Sequence, residues 1–119
     1  MWLFTNTGFV SAVSNGKDLM VRSRDKESLE ALSEITKQEI INTPQNDYPY
    51  RLVISHEIFA KWVAHMAQGI TYKNFKSEVA ATRGYDFAHP LMKVWSAMHE
   101  VEDTEARQIG TPFKTPEIH

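Results

Sequence analysis

The stretch Asn15-Gly16-Lys17-Asp18-Leu19-Met20-Val21-Arg22-Ser23-Arg24 decides the fold class. Asn-Gly suits a type I′ turn, in which both central positions need positive φ, and such a turn joins two antiparallel strands. The arm that follows alternates. Leu19, Val21 and Ser23 share one face and Met20, Arg22 and Arg24 share the other, so that second face carries guanidiniums side by side. Residues 2 to 13 mix aromatic and β-branched side chains with Thr5, Thr7 and Ser11, and they supply the opposing arm of a hairpin.

After the hairpin, Asp25 can cap a helix whose apolar stripe is Leu29, Leu32 and Ile35. Residues 39–43 read as a short strand and residues 44–47 as a turn. The run Tyr48-Pro49-Tyr50-Arg51-Leu52-Val53-Ile54 has strong β propensity. Pro49 cannot donate to a ladder, so this strand is either at an edge there or begins after it. Ser55 caps a helix through Gln68, with Phe59, Trp62, Val63 and Met66 at helical spacing and Gly69 at the C′ position. A shorter helix over 74–81 ends at Gly84. Asp86 caps the last one, which carries Leu91, Val94, Trp95, Met98 and Val101, with Pro90 in its first turn. The pattern lapses after Glu105. The expected fold is α+β: an N-terminal antiparallel sheet of three to four strands followed by two to three packed helices, forming one domain over 1–106 with a C-terminal tail over 107–119.

Composition agrees with one soluble core. The chain has 119 residues, 42% of them hydrophobic and 24% charged, with 3 Trp, 4 Tyr and 6 Phe. A chain of this length buries about two-thirds of its unfolded surface. The formal charge of -2 argues against a duplex nucleic-acid partner, which would demand a basic excess. The absence of cysteine excludes disulfides, a thiolate nucleophile and thiolate-ligated metals. No run of about 18 apolar residues is present. The first residues lack the basic and apolar segments of a signal peptide. The expected setting is cytoplasmic, with no membrane partner. For so small a chain with 5 Met and an open sheet edge, a homo-dimer or higher homo-oligomer is expected.

Catalytic motifs are missing. Of His56, His65, His89, His99 and His119, no two stand at i,i+4 on a helix, and His56-Glu57 lacks the second histidine of a zincin. There is no G-x-S-x-G, S-x-x-K, G-x-G-x-x-G or Walker pattern. The acids Glu100, Glu102, Asp103 and Glu105 form a charged helix end rather than a dyad. Neither a catalytic residue, a metal nor a cofactor is expected, although a phosphoesterase using His56, His89 or His99 as acid or base is the enzymatic alternative.

Basic groups interleaved with aromatics are what remain. Arg22 and Arg24 lie on a strand, Arg51 follows Tyr48 and Tyr50, Lys73 and Lys76 flank Phe75, and Arg83 precedes Tyr85 and Phe87. Residues 55–99 hold 5 basic against 3 acidic side chains, whereas residues 100–119 hold 2 against 5. Arginine grips phosphate in a bidentate fork and aromatic rings stack on bases, a combination suited to a small nucleotide. Tyr and Phe at these spacings also commonly fill cores.

Met1-Trp2-Leu3-Phe4-Thr5 with Gly8-Phe9-Val10-Ser11, Leu19 to Arg24, Asp47-Tyr48-Pro49-Tyr50-Arg51, Asn74-Phe75-Lys76-Ser77-Glu78-Val79 and His89 with Val94-Trp95 together resemble a family of small bacterial and phage proteins, most without an assigned function. The layout is also similar to the phage Thoeris anti-defence sponges of the first type. That resemblance implies non-enzymatic sequestration of a cyclic nucleotide or cyclic ADP-ribose-type immune signal. It points to Arg22, Arg51 and the Phe75 region as ligand contacts. The full set of expected ligand-binding residues is Phe9, Arg22, Arg24, Arg51, Asn74, Phe75, Lys76, Arg83, Tyr85, Asp86 and His89. The alternative function is a protein-binding inhibitor or adaptor acting through an aromatic interface that includes Trp62 and Trp95.

Overall fold

The computed structural model describes residues 1–107, so the expected tail lies, from residue 108 onward, outside the described residues. The elements are β1 (Trp2–Thr5), β2 (Gly8–Asn15), β3 (Asp18–Ser23), α1 (Glu27–Thr36), β4 (Ile41–Asn42), β5 (Tyr50–Ile54), α2 (His56–Gln68), α3 (Phe75–Arg83) and α4 (Tyr85–Arg107). The strands form one antiparallel sheet in the order β1-β2-β3-β5-β4. The fold is α+β, as expected, with five strands rather than three to four and with α1 inserted between β3 and β4.

The extra strand comes from residues 2–13, which are two strands and not one arm. Thr5 pairs with Gly8 across a two-residue turn at Asn6-Thr7, and the Thr5 hydroxyl accepts from the Thr7 amide at 3.2 Å. Gly8 has φ +153°, and a Cβ built on it would stand 2.2 Å from Ser28 Oγ on α1. Only glycine lets α1 approach this closely. At the next turn Asn15 pairs with Asp18, so the loop is Gly16-Lys17, one residue later than expected. Of the two loop residues only Gly16 has positive φ, 72°, which is the type II′ signature rather than type I′. Pro49 is resolved as the sequence allowed, since β5 begins after it at Tyr50.

Strand alternation splits the sheet into two faces. Val10, Ala12, Val21, Leu52 and Ile54 point to α1 and α2, where they meet Leu29, Leu32, Phe59 and Trp62 in the main core. Ile35, expected in the α1 stripe, is 59% exposed, because steps of three fall short of the 3.6-residue turn and drift off the buried face, which continues from Leu29 and Leu32 to the half-buried Thr36. Asp25 does not cap α1. Its carboxylate is taken by the Ser28 hydroxyl at 2.5 Å and by an ion pair with Arg83, and the residue at the cap position is Lys26. Ser55 and Asn74 do cap, accepting from the amides of Ile58 at 3.1 Å and Ser77 at 2.9 Å. Gly69 ends α2 with φ -81°, not in the left-handed conformation.

The pair α3 and α4 joins the rest through Arg83, whose side chain is 7% exposed. It donates to Thr7 O at 2.7 Å and Ser28 Oγ at 3.3 Å, pairs with Asp25 and Glu27, and lies over the Phe87 ring at 3.9 Å. Asn6 adds a bond to Glu78 at 2.9 Å. The helix α4 starts at Tyr85, so Asp86 is inside its first turn rather than at its cap, and Pro90 sits in the second turn rather than the first. There its ring leaves the Asp86 carbonyl without the usual i+4 donor. No helix among the described residues is long and apolar enough to cross a membrane.

Candidate functional site

The face of the sheet opposite the main core carries one transverse row over all five strands. The register places Trp2 beside Ser11, Ser11 beside Arg22, Arg22 beside Arg51, and Arg51 beside Ile41. Directly opposed residues have Cβ atoms about 4.5–5.5 Å apart, so Arg22 and Arg51 are adjacent like charges. Both are half-buried. Neither has a carboxylate within ion-pair distance among the described residues, where Arg24, Lys61, Arg83 and His99 take the acids.

Neutral groups orient the two guanidiniums instead. Arg22 donates from Nη2 to Ser11 Oγ at 2.9 Å and lies 4.4 Å from the centre of the Tyr48 ring. Its Nε is buried without a hydrogen-bond partner. Arg51 donates from Nε to Tyr48 O at 3.3 Å and from Nη1 to Met20 Sδ at 3.3 Å. Arg24 covers Tyr48 at 4.3 Å and is held by Asp47 through its backbone carbonyl at 2.6 Å and its carboxylate at 2.8 Å. The bond to the Asp47 carboxylate raises the Arg24 guanidinium further above its already high ordinary value, so Arg24 stays charged.

Next to this face is a cleft of about 610 Å³, lined by Phe4, Phe75, Leu91, Met92, Val94 and Trp95 together with Lys73, Asn74 and Lys76. Phe4 connects the two regions. It stacks on Phe9 at 4.5 Å, and Phe9 leans on Tyr48 at 6.4 Å, under the arginines. An aromatic track thus runs from an apolar cleft with two lysines to a pair of unneutralised guanidiniums. Such a surface can hold a planar ring at one end and a phosphate at the other.

Of the residues singled out in the sequence, Phe9, Arg22, Arg24 and Arg51 come together on this face, and Asn74, Phe75 and Lys76 come together in the cleft. Phe75 and Arg51 do not line one pocket. Arg83 is occupied in joining α3 to α1 and to the β1–β2 turn. Tyr85 is 80% exposed, and Asp86 and His89 are exposed on the first turns of α4, away from the cleft lining. Met20 lies on the Arg22 face and Tyr48 beside Arg51, as the sequence placed them, whereas sequence reasoning missed Phe4 and Ser11 as parts of the surface. Period-two alternation from Phe9 would have found Ser11. Among the described residues no group of three or more His, Asp or Glu could hold a metal ion. Compared with known proteins, the chain matches no family model, no curated protein and no solved structure.

Proposed function

We propose that this protein binds a phosphate-bearing nucleotide on the second face of its sheet and holds it without cleaving it. The observation that carries this reading is the Arg22–Arg51 pair: two half-buried like charges, in direct register, with no carboxylate within ion-pair distance of either among the described residues. Opposed like charges destabilise a sheet, and a guanidinium with an unpaired buried Nε adds a desolvation cost. A bound dianion would relieve the repulsion. Phosphate oxygens accept from Arg22 and Arg51, while a base stacks along the track or enters the cleft beside Phe75. In line with the resemblance in the sequence, the ligand class is a cyclic nucleotide or cyclic ADP-ribose-type signal, and the role is sequestration.

The test is incubation of the purified protein with a panel of cyclic nucleotides and cyclic ADP-ribose isomers, removal of free ligand, and heating to release what is bound. Recovery of one unmodified ligand from wild type, and of none from an Arg22→Ala, Arg51→Ala double variant, is the expected result. Release of a cleaved product would replace binding with catalysis, and release of nothing from wild type would reject the site. Trp62, expected at a protein interface, is instead 3% exposed in the main core, and it is the exposure of Trp2 at 69% that favours a second reading, a protein partner on this same face. That reading requires Trp2→Ala to abolish a stoichiometric protein complex while no small molecule is released.

A further inference from the structure

The helix α4 has 23 residues and extends about 34 Å at 1.5 Å per residue. Ala88 is buried, and Leu91 and Met92 are half-buried, but every residue from 93 to 104 is exposed. This projecting part is not polar all round. Leu91, Val94, Met98 and Val101 recur at spacings of three, four and three, the a/d pattern of a helix that packs on another helix. Val94 is 38% exposed, Met98 59% and Val101 47%, and Trp95 beside them is 66% exposed. An unsupported amphipathic helix of this length is marginal in water, so the stripe calls for a covering partner.

Charge selects that partner and its direction. The second half of α4 carries Glu100, Glu102 and Asp103 and, from 94 to 104, no Lys or Arg. The cleft against its first half is lined by Lys73 and Lys76, with Lys93 next in α4. A parallel copy would set acids against acids, whereas an antiparallel copy sets acids against lysines.

We propose that α4 pairs antiparallel with α4 of a second copy of this chain, about a two-fold axis passing beside Ser96. Leu91 then packs on Val101 of the partner subunit, and Val94 packs on Met98 of the partner subunit, repeated by symmetry. The acidic end of each helix lies over the lysine-lined cleft of the other copy, so the cleft is completed by the dimer.

The chain has no cysteine, which makes cross-linking specific. Full-length protein is expected to sediment as a dimer at micromolar concentration, and the Val94→Glu, Met98→Glu double variant as a monomer with a cooperative melt. Mixing Val94→Cys protein with Met98→Cys protein under mild oxidation is expected to give a covalent dimer, and neither variant alone should do so, because only the mixed pair falls within disulfide reach. Cross-linking of Val94→Cys alone would mean parallel pairing and overturn the proposal. A full-length monomer that dimerises only after removal of residues 108–119 would make the chain's own C-terminus the occupant, and a monomer under all conditions would leave no role for a second copy. Either result overturns it.

Discussion

Arg83→Ala removes the group on which the attachment of α3 and α4 depends. The side chain is almost fully buried, and the variant loses the charge-assisted bond to Thr7 O, the bond to Ser28 Oγ, the ion pairs with Asp25 and Glu27, and the contact with Phe87. Breaking a fully buried ion pair costs about 3–5 kcal/mol because an uncompensated charge stays behind. Here the carboxylates left behind are 37% and 59% exposed, so water recovers part of that cost. The expected loss is about 2–3 kcal/mol, made up mainly of the stranded Thr7 carbonyl, the half-buried Asp25 and the lost packing. Urea unfolding monitored by tryptophan fluorescence measures it, with an unchanged slope and a lower midpoint. In a cycle with Asp25→Ala, the two residues should couple by about 1–3 kcal/mol. Arg83→Lys should recover less than half of the loss, since a point charge cannot serve Thr7, Asp25 and Glu27 together. A loss below about 0.5 kcal/mol, the level of an ordinary surface substitution, would refute the reasoning and would mean that α3 and α4 are held by something other than Arg83.

Gly8→Ala should cost about 2–4 kcal/mol by combining positive φ with a clash against Ser28, and the midpoint of thermal unfolding reads it directly. Arg51→Ala should leave stability unchanged or slightly raised, because a like-charge neighbour is removed, yet weaken nucleotide binding by about 1.5–3 kcal/mol in calorimetry. Its affinity should also respond less steeply to salt than that of wild type. Phe75→Ala should weaken binding by about 1–3 kcal/mol per stacked base while keeping the wild-type salt response. If it instead unfolds the protein and Arg51→Ala leaves affinity unchanged, Phe75 is a packing residue and the ligand lies elsewhere.

Local chemistry was enough to read the cap at Ser55, the break in the strand at Pro49, the α2 stripe of Phe59 and Trp62, and the division of Met20, Arg22 and Arg24 from Val21 and Ser23. Each of these depends on neighbours within a few residues, through a capping bond, a missing amide or a two-residue period. What the sequence left open involves residues distant along the chain. Thr5-Asn6-Thr7-Gly8 has the composition of a turn, but taking residues 2–13 as one arm passed over it, and that position 8 must be glycine depends on Ser28 on α1. Asp25 has the composition of a cap and was drawn instead into an ion pair with Arg83, 58 residues away. Ile35 fits a spacing of three, but the sheet selects the face of Leu29, Leu32 and Thr36, from which Ile35 is turned away. The placing of Arg51 against Arg22 follows from the β3–β5 register, which is fixed by burial of Val21 against Leu52 across the inserted α1 and β4. The candidate residues could therefore be named from their types and spacing, but their sorting into a guanidinium face, an aromatic cleft and a structural arginine was decided by which surfaces the helices cover.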